Sequence, residues 1–132
     1  MVHSLKDCPT ERENDLELAA VPPRATPFDV LVGQTDSLSD LKDGTVIGTS
    51  SRRRRANLLF HNENLTVEPC RGNVPTRIDK LNAENEEEDS AFDALVLAAA
   101  GIERLDITPK SRLLRRNEMI PAAGQGALAV FC

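Results

Sequence analysis

The chain has 132 residues, 40% of them hydrophobic and 28% charged, with a formal net charge of −5. That length is one ordinary domain's worth of chain with enough apolar residues for a core. The negative balance argues against a general nucleic-acid binder, which needs a net basic face, and with 3% aromatic residues and no Trp or Tyr the core is expected to be aliphatic.

In chain order, residues 1–10 read as a short element ending in a turn at Pro9, and Leu16 to Val21 as a weakly alternating strand. Pro22, Pro23 and Pro27 then break the chain. Phe28 to Val32 is apolar and β-prone, Ser37 to Leu41 predicts a short helical turn, Asp43-Gly44 a turn, and Val46 to Gly48 a strand. Ser50 and Ser51 are good helix N-caps, so a helix is predicted from there to about Phe60, burying Ala56, Leu59 and Phe60. Leu65 to Val67 predicts a strand reaching to about Cys70, and Pro75 to Leu81 a helix with proline in its first turn. The acidic stretch 82–90 is expected to be a solvated loop. Phe92 to Ala98 is almost continuously apolar, as in a strand covered on both faces. Ile102 to Leu105 predicts a helical turn, Arg112 to Arg116 a charged helix or loop, Gly124 and Gly126 a turn, and Ala127 to Phe131 a last strand. Strands alternating with helices predict an α/β fold with a mainly parallel sheet.

Cys8, Cys70 and Cys132 are odd in number and widely spaced, with no pair at zinc-ligand spacing. Neither a metal site nor a disulfide framework is expected, and a reducing, cytoplasmic setting fits. The longest apolar run, Ala94 to Ile102, is too short to span a membrane. Lys6 and Asp7 interrupt any signal-peptide pattern at the start.

Two groups of residues have the layout of an anion site. Gly48-Thr49-Ser50-Ser51 lies between a predicted strand and helix, followed by Arg52 to Arg55. Small residues let backbone N–H groups approach a ligand, the helix start adds partial positive charge, and guanidinium groups grip carboxylates with paired hydrogen bonds. Four successive arginines span most of a helical wheel, so they cannot all face one ligand. A solvated basic helix face is the competing reading. Arg71-Gly72-Asn73 with Thr76 and Arg77 repeats the layout after the next strand. In a parallel sheet both groups would point into one crevice at the strand ends; otherwise Gly72 only permits a turn and Arg77 is exposed. Lys6-Asp7 supports acid–base chemistry, or is an ordinary surface ion pair.

Five segments, VHSLKDCPT, IGTSSRRRRANL, RGNVPTRIDKL, FDALVLAAAGIERL and IPAAGQGALAVFC, resemble, in order, segments of the porphobilinogen deaminases (hydroxymethylbilane synthases), and cover nearly the whole chain. The resemblance implies a three-domain enzyme whose first two domains are like type II periplasmic binding proteins. Residues 1–25 would be a piece of the first domain with a hinge, 26–117 the second domain, and 118–132 the hinge and return strand of the first. The third domain has no counterpart here, so the chain reads as a central piece of a longer protein, expected to be inactive alone and prone to self-association, where the full enzyme is a monomer. The implied activity joins four porphobilinogen units into hydroxymethylbilane on the route to haem, on a dipyrromethane cofactor whose attachment cysteine lies outside this chain. The implied roles are Asp7 as the catalytic residue and Ser4, Lys6, Thr49, Ser50, Ser51, Arg53, Arg54, Arg71, Gly72 and Arg77 as cofactor-binding. Arg104 and Gln125 are implied for substrate. Arg52 stands where the family usually has an apolar residue. A non-catalytic anion-binding module of periplasmic type is the alternative, though it does not account for HSLKD, and a nucleic-acid binder using Arg52 to Arg55 is weaker, given the acidic net charge and the absence of Trp and Tyr.

Overall fold

A computed structural model describes residues 1–9, 16–83 and 91–132. The elements are β1 (Val2–Ser4), a 3-10 turn (Leu5–Asp7), β2 (Leu18–Ala20), β3 (Asp29–Val32), β4 (Val46–Gly48), α1 (Arg52–His61), β5 (Thr66–Glu68), α2 (Val74–Asn82), β6 (Ala94–Ala98), α3 (Ala99–Arg104), β7 (Ser111–Leu114) and β8 (Leu128–Phe131).

They form two sheets, one of five strands in the order β5-β4-β6-β3-β7 and one of three in the order β1-β8-β2. In the larger sheet β4 is parallel to β5 and β6, and β3 is antiparallel to β6 and β7. The expectation of a mainly parallel sheet is therefore corrected to a mixed one. The cause is β3 alone, which runs against its four companions. Those four follow one another through α1, α2 and α3, helical crossovers that return the chain in the same direction. β3 instead enters from the smaller sheet and inserts between β6 and β7. The smaller sheet is antiparallel throughout, with β8 between two segments from the start of the chain.

The alternation of side chains splits the core into two layers. On one face of the larger sheet Leu31, Ile47, Ala94 and Val96 pack with Leu58 of α1, Leu38, Leu114 and Met119. On the other, Val30, Val32, Leu95 and Leu97 pack with Ile78 of α2 and Ile102 of α3. Helices thus cover both faces, which is why β6 is apolar at every position. Gly48 is required at the end of β4, because a Cβ there would stand 2.5 Å from Leu95 Cδ2 and 2.8 Å from Phe92 Cδ1.

Several local expectations change. Ser37 to Leu41, expected as a short helical turn, forms a single turn closed by the Asp40 N–H to the Ser37 carbonyl at 3.0 Å. Arg112 to Arg116, expected as helix or loop, contributes to β7, an edge strand whose outward positions tolerate charge. The buried side of α1 is Arg54 and Leu58, one turn apart, while Ala56 is exposed and Phe60 stands 86% exposed. Of the expected acidic loop, residues 84–90 lie outside the described residues.

Candidate functional site

The chain crosses between the two sheets twice, through residues 21–28 and 115–127, and a cleft of about 660 Å³ opens beside these crossings. The smaller sheet and its turns contribute Ser4, Lys6, Asp7, Gly126 and Leu128. The larger unit contributes Arg54, Gly72, Arg77, Leu97 and Arg104, with the start of α2 and the small residues Ala98, Ala100 and Gly101. Of the expected site residues, Ser4, Lys6, Asp7, Arg54, Gly72, Arg77 and Arg104 therefore meet in one place.

Each is held by local structure. Leu5 donates its N–H to the Ala127 carbonyl at 3.0 Å, which pins the 3-10 turn bearing Lys6 and Asp7 onto the segment before β8. Asn73 caps α2, its Oδ1 accepting from the Thr76 N–H at 2.9 Å and hydroxyl at 2.7 Å. The preceding Gly72 takes φ +121°, a region open to glycine. Its carbonyl accepts from Arg77 Nε at 2.7 Å, which orients that guanidinium at the helix start. Arg104, in the last turn of α3, donates Nη2 to the Gly126 carbonyl at 2.7 Å and so bridges the two sides of the cleft. A Cβ at Gly126 would lie 2.5 Å from the Ala25 carbonyl oxygen, so the two crossings can pass this closely only with glycine there.

Thr49, Ser50, Ser51 and Arg71 go elsewhere. With Arg52 and Arg55 they line a separate, smaller cleft of about 210 Å³. Their hydroxyls are spent on the turn itself. Thr49 Oγ1 accepts from the Ser51 N–H at 3.2 Å, Ser50 donates to the Cys70 carbonyl at 3.1 Å, and Ser51 caps α1 by accepting from the Arg54 N–H at 3.3 Å.

Arg53 and Gln125 line neither cleft; they belong to a buried cluster around Asp29, which is wholly inaccessible at the start of β3. Asp29 Oδ1 accepts from Arg54 Nη2 at 2.7 Å and from Gln125 Nε2 at 3.0 Å, and Oδ2 from Arg53 Nη2 at 2.9 Å. Arg53 also donates to the Ile120 carbonyl, Arg54 Nη1 to the Val96 carbonyl at 2.8 Å, and Gln125 Nε2 to the Pro27 carbonyl at 2.6 Å. Arg54 Nε is buried without an acceptor among the described residues. Burial lowers the pKa of Arg54 and the facing Asp29 carboxylate opposes this, so a group that titrates far above neutrality stays charged. Lys6 is pulled below the ordinary lysine value, first by burial and then by Arg54, with Asp7 and Asp29 partly offsetting them.

Sequence reasoning missed Asp29 and the small residues at the start of α3. Asp29 had a faint signal, a carboxylate leading the apolar run Val30 to Val32, where a charge is stable only if paired.

The fold and cleft define an α/β protein with a cationic cleft between two sheets. Among known families, residues 1–132 match "Porphobilinogen deaminase, dipyromethane cofactor binding domain" over the whole chain. Curated relatives include a porphobilinogen deaminase of Listeria welshimeri at 43% identity over 99% of this chain, and a probable one of Methanopyrus kandleri also at 43% over 99%. A probable porphobilinogen deaminase of Nitrosopumilus maritimus is 45% identical over 98% of this chain. The chain belongs to the porphobilinogen deaminase family. It spans 40–42% of the length of these relatives.

Proposed function

We propose that the chain forms the cofactor- and substrate-facing cleft of a hydroxymethylbilane synthase. The reaction is the stepwise condensation of four porphobilinogen units, with loss of ammonia at each addition, in the cytoplasm. The observation that carries this reading is the convergence of Lys6, Asp7, Arg54, Arg77 and Arg104 from both sheets on one cleft. The five-stranded unit is read as the second of two type II periplasmic-binding-like domains, and the three-stranded sheet as part of the first.

A dipyrromethane fits this site. The cleft is about 660 Å³, its lining holds Lys6, Arg54, Arg77 and Arg104 against the single acidic side chain of Asp7, and a buried guanidinium nitrogen, Arg54 Nε, lacks an acceptor among the described residues. When bound, the group supplies the pyrrole end to which further units are joined. Lys6, Arg77 and Arg104 then hold its acetate and propionate groups and those of the incoming pyrrole. Leu97, Ala98, Gly101 and Leu128 give ring planes an apolar wall with little side-chain bulk. Asp7, exposed at the cleft mouth, sets a negative charge beside the pyrrole nitrogens. There it stabilises positive charge as ammonia leaves and accepts a pyrrole N–H.

Calorimetric titration of the chain with porphobilinogen tests the reading. Binding is expected, and Lys6→Met or Arg77→Met should weaken it about tenfold, the worth of one charge-assisted hydrogen bond. Asp7→Asn should erase the preference for porphobilinogen over an analogue lacking the aminomethyl group. Absence of binding at millimolar porphobilinogen, or equal binding by all variants, would sink the proposal.

A further inference from the structure

We infer that Asp29 is the positioning residue of the cleft: its carboxylate separates Arg53 from Arg54, drawing the first into the crossing between the sheets and setting the second as the cationic floor on which a ligand carboxylate rests. The inference rests on the carboxylate-binding reading above and names a residue in contact with no part of the ligand.

Arg53 and Arg54 are adjacent on α1, so their side chains leave the helix about 100° apart and cannot enter one cleft unaided. Asp29 accepts one guanidinium on each oxygen, Arg54 Nη2 on Oδ1 at 2.7 Å and Arg53 Nη2 on Oδ2 at 2.9 Å. The outcome differs on the two sides. Arg53 completes its contacts with the Ile120 carbonyl and Gln125 Oε1, both on the returning crossing. Arg54 has both Nη atoms occupied, by Val96 and Asp29, and is fixed as a flat group lining the cleft. Its Nε is a buried nitrogen without an acceptor among the described residues. An unmet buried donor is costly to a fold, and a carboxylate seated on the cleft floor is the acceptor it lacks. Asp29 also neutralises the buried charge of Arg54, which keeps it tolerable without ligand. Gln125 closes the arrangement by donating to Asp29 and to the Pro27 carbonyl, so both crossings are tied to the same carboxylate.

The test is a double-substitution cycle on the 132-residue chain, read as porphobilinogen affinity by calorimetry. Asp29→Asn should weaken binding at least tenfold in the native background, but by little once Arg54→Lys has removed the fork it positions. A coupling factor above threefold between the two substitutions supports the inference. A factor below threefold overturns it and leaves Asp29 a purely structural residue. Should Asp29→Asn fail to fold, the native chain decides through arginine side-chain resonances in nitrogen-15 spectra. Added porphobilinogen should move the Arg54 Nε–H signal, and an unmoved Arg54 signal with bound ligand overturns the inference. Failure of the native chain to bind porphobilinogen removes the underlying reading as well, whereas binding without coupling removes only the role of Asp29.

Discussion

At the scale of single residues, the molecule concentrates its electrostatic cost at Asp29 and Lys6. Asp29 is fully buried between two guanidinium groups. Asp29→Ala should therefore lower stability by about 3–5 kcal/mol, the range for breaking a buried ion pair from one side, as read from urea midpoints. Phe60, 86% exposed on the same helix, provides the contrast: Phe60→Ser should change stability by about 0.5 kcal/mol or less. Lys6 gives a pH signature. Its folded-state pKa is lowered, chiefly by burial and by Arg54. Between that value and the ordinary lysine value the unfolded chain holds more protons than the folded one, so stability rises with pH across this window. Lys6→Met should flatten that alkaline rise in urea unfolding measured at several pH values. A carboxylate bound beside Lys6 pushes its pKa back up, so ligand binding in the same window should take up protons, visible as a buffer-dependent binding heat.

At the scale of elements, helix starts and strand ends carry the site. Ser51 caps α1 through the Arg54 N–H, so Ser51→Ala should cost about 1 kcal/mol. Gly48→Ala should cost about 1–3 kcal/mol by overpacking, since its Cβ would press on Leu95 and Phe92; thermal unfolding checks both. The same elements show what could be read in advance. β4 and β6 were legible because their apolar runs stand between clear turn signals, and α1 and α2 because Ser51 and Pro75 mark their starts. β7 was not, since an edge strand bearing Arg112 lacks the apolar pattern of a buried one. The inward side of α1 was misread for a non-local reason: Arg54 is made tolerable in the interior by Asp29, which lies 25 residues earlier in the chain. Likewise the sequence motif groups Thr49, Ser50 and Ser51 with the arginines, yet their hydroxyls turn inward to the backbone and face a different cleft.

At the scale of the whole molecule, two sheets of unequal size share one cleft and are joined by two crossings that Arg104, Gln125 and Gly126 hold together. The larger sheet is covered by helices on both faces, whereas the smaller leaves Val2 and Leu18 exposed. Amide hydrogen exchange should accordingly be slowest in β3 and β6 and fastest in β2, an edge strand with a register shift. Equal exchange in both sheets would contradict this ranking. The acidic total of −5 coexists with a cationic cleft. Added salt should therefore weaken carboxylate binding less than it would at exposed arginines, because partly buried pairs are screened less.

The smaller sheet also fixes an order of events during synthesis. Val2 pairs with Val130 and Leu18 with Phe131, so both early strands have β8 as their neighbour. On a ribosome, which releases the N-terminus first, those early strands emerge long before the partner they need. The larger sheet, whose strands all lie between residues 29 and 114, can assemble while they wait. Within residues 1–132, the cleft wall bearing Lys6 and Asp7 therefore cannot close until β8 has been made, whereas the larger sheet needs nothing beyond residue 114.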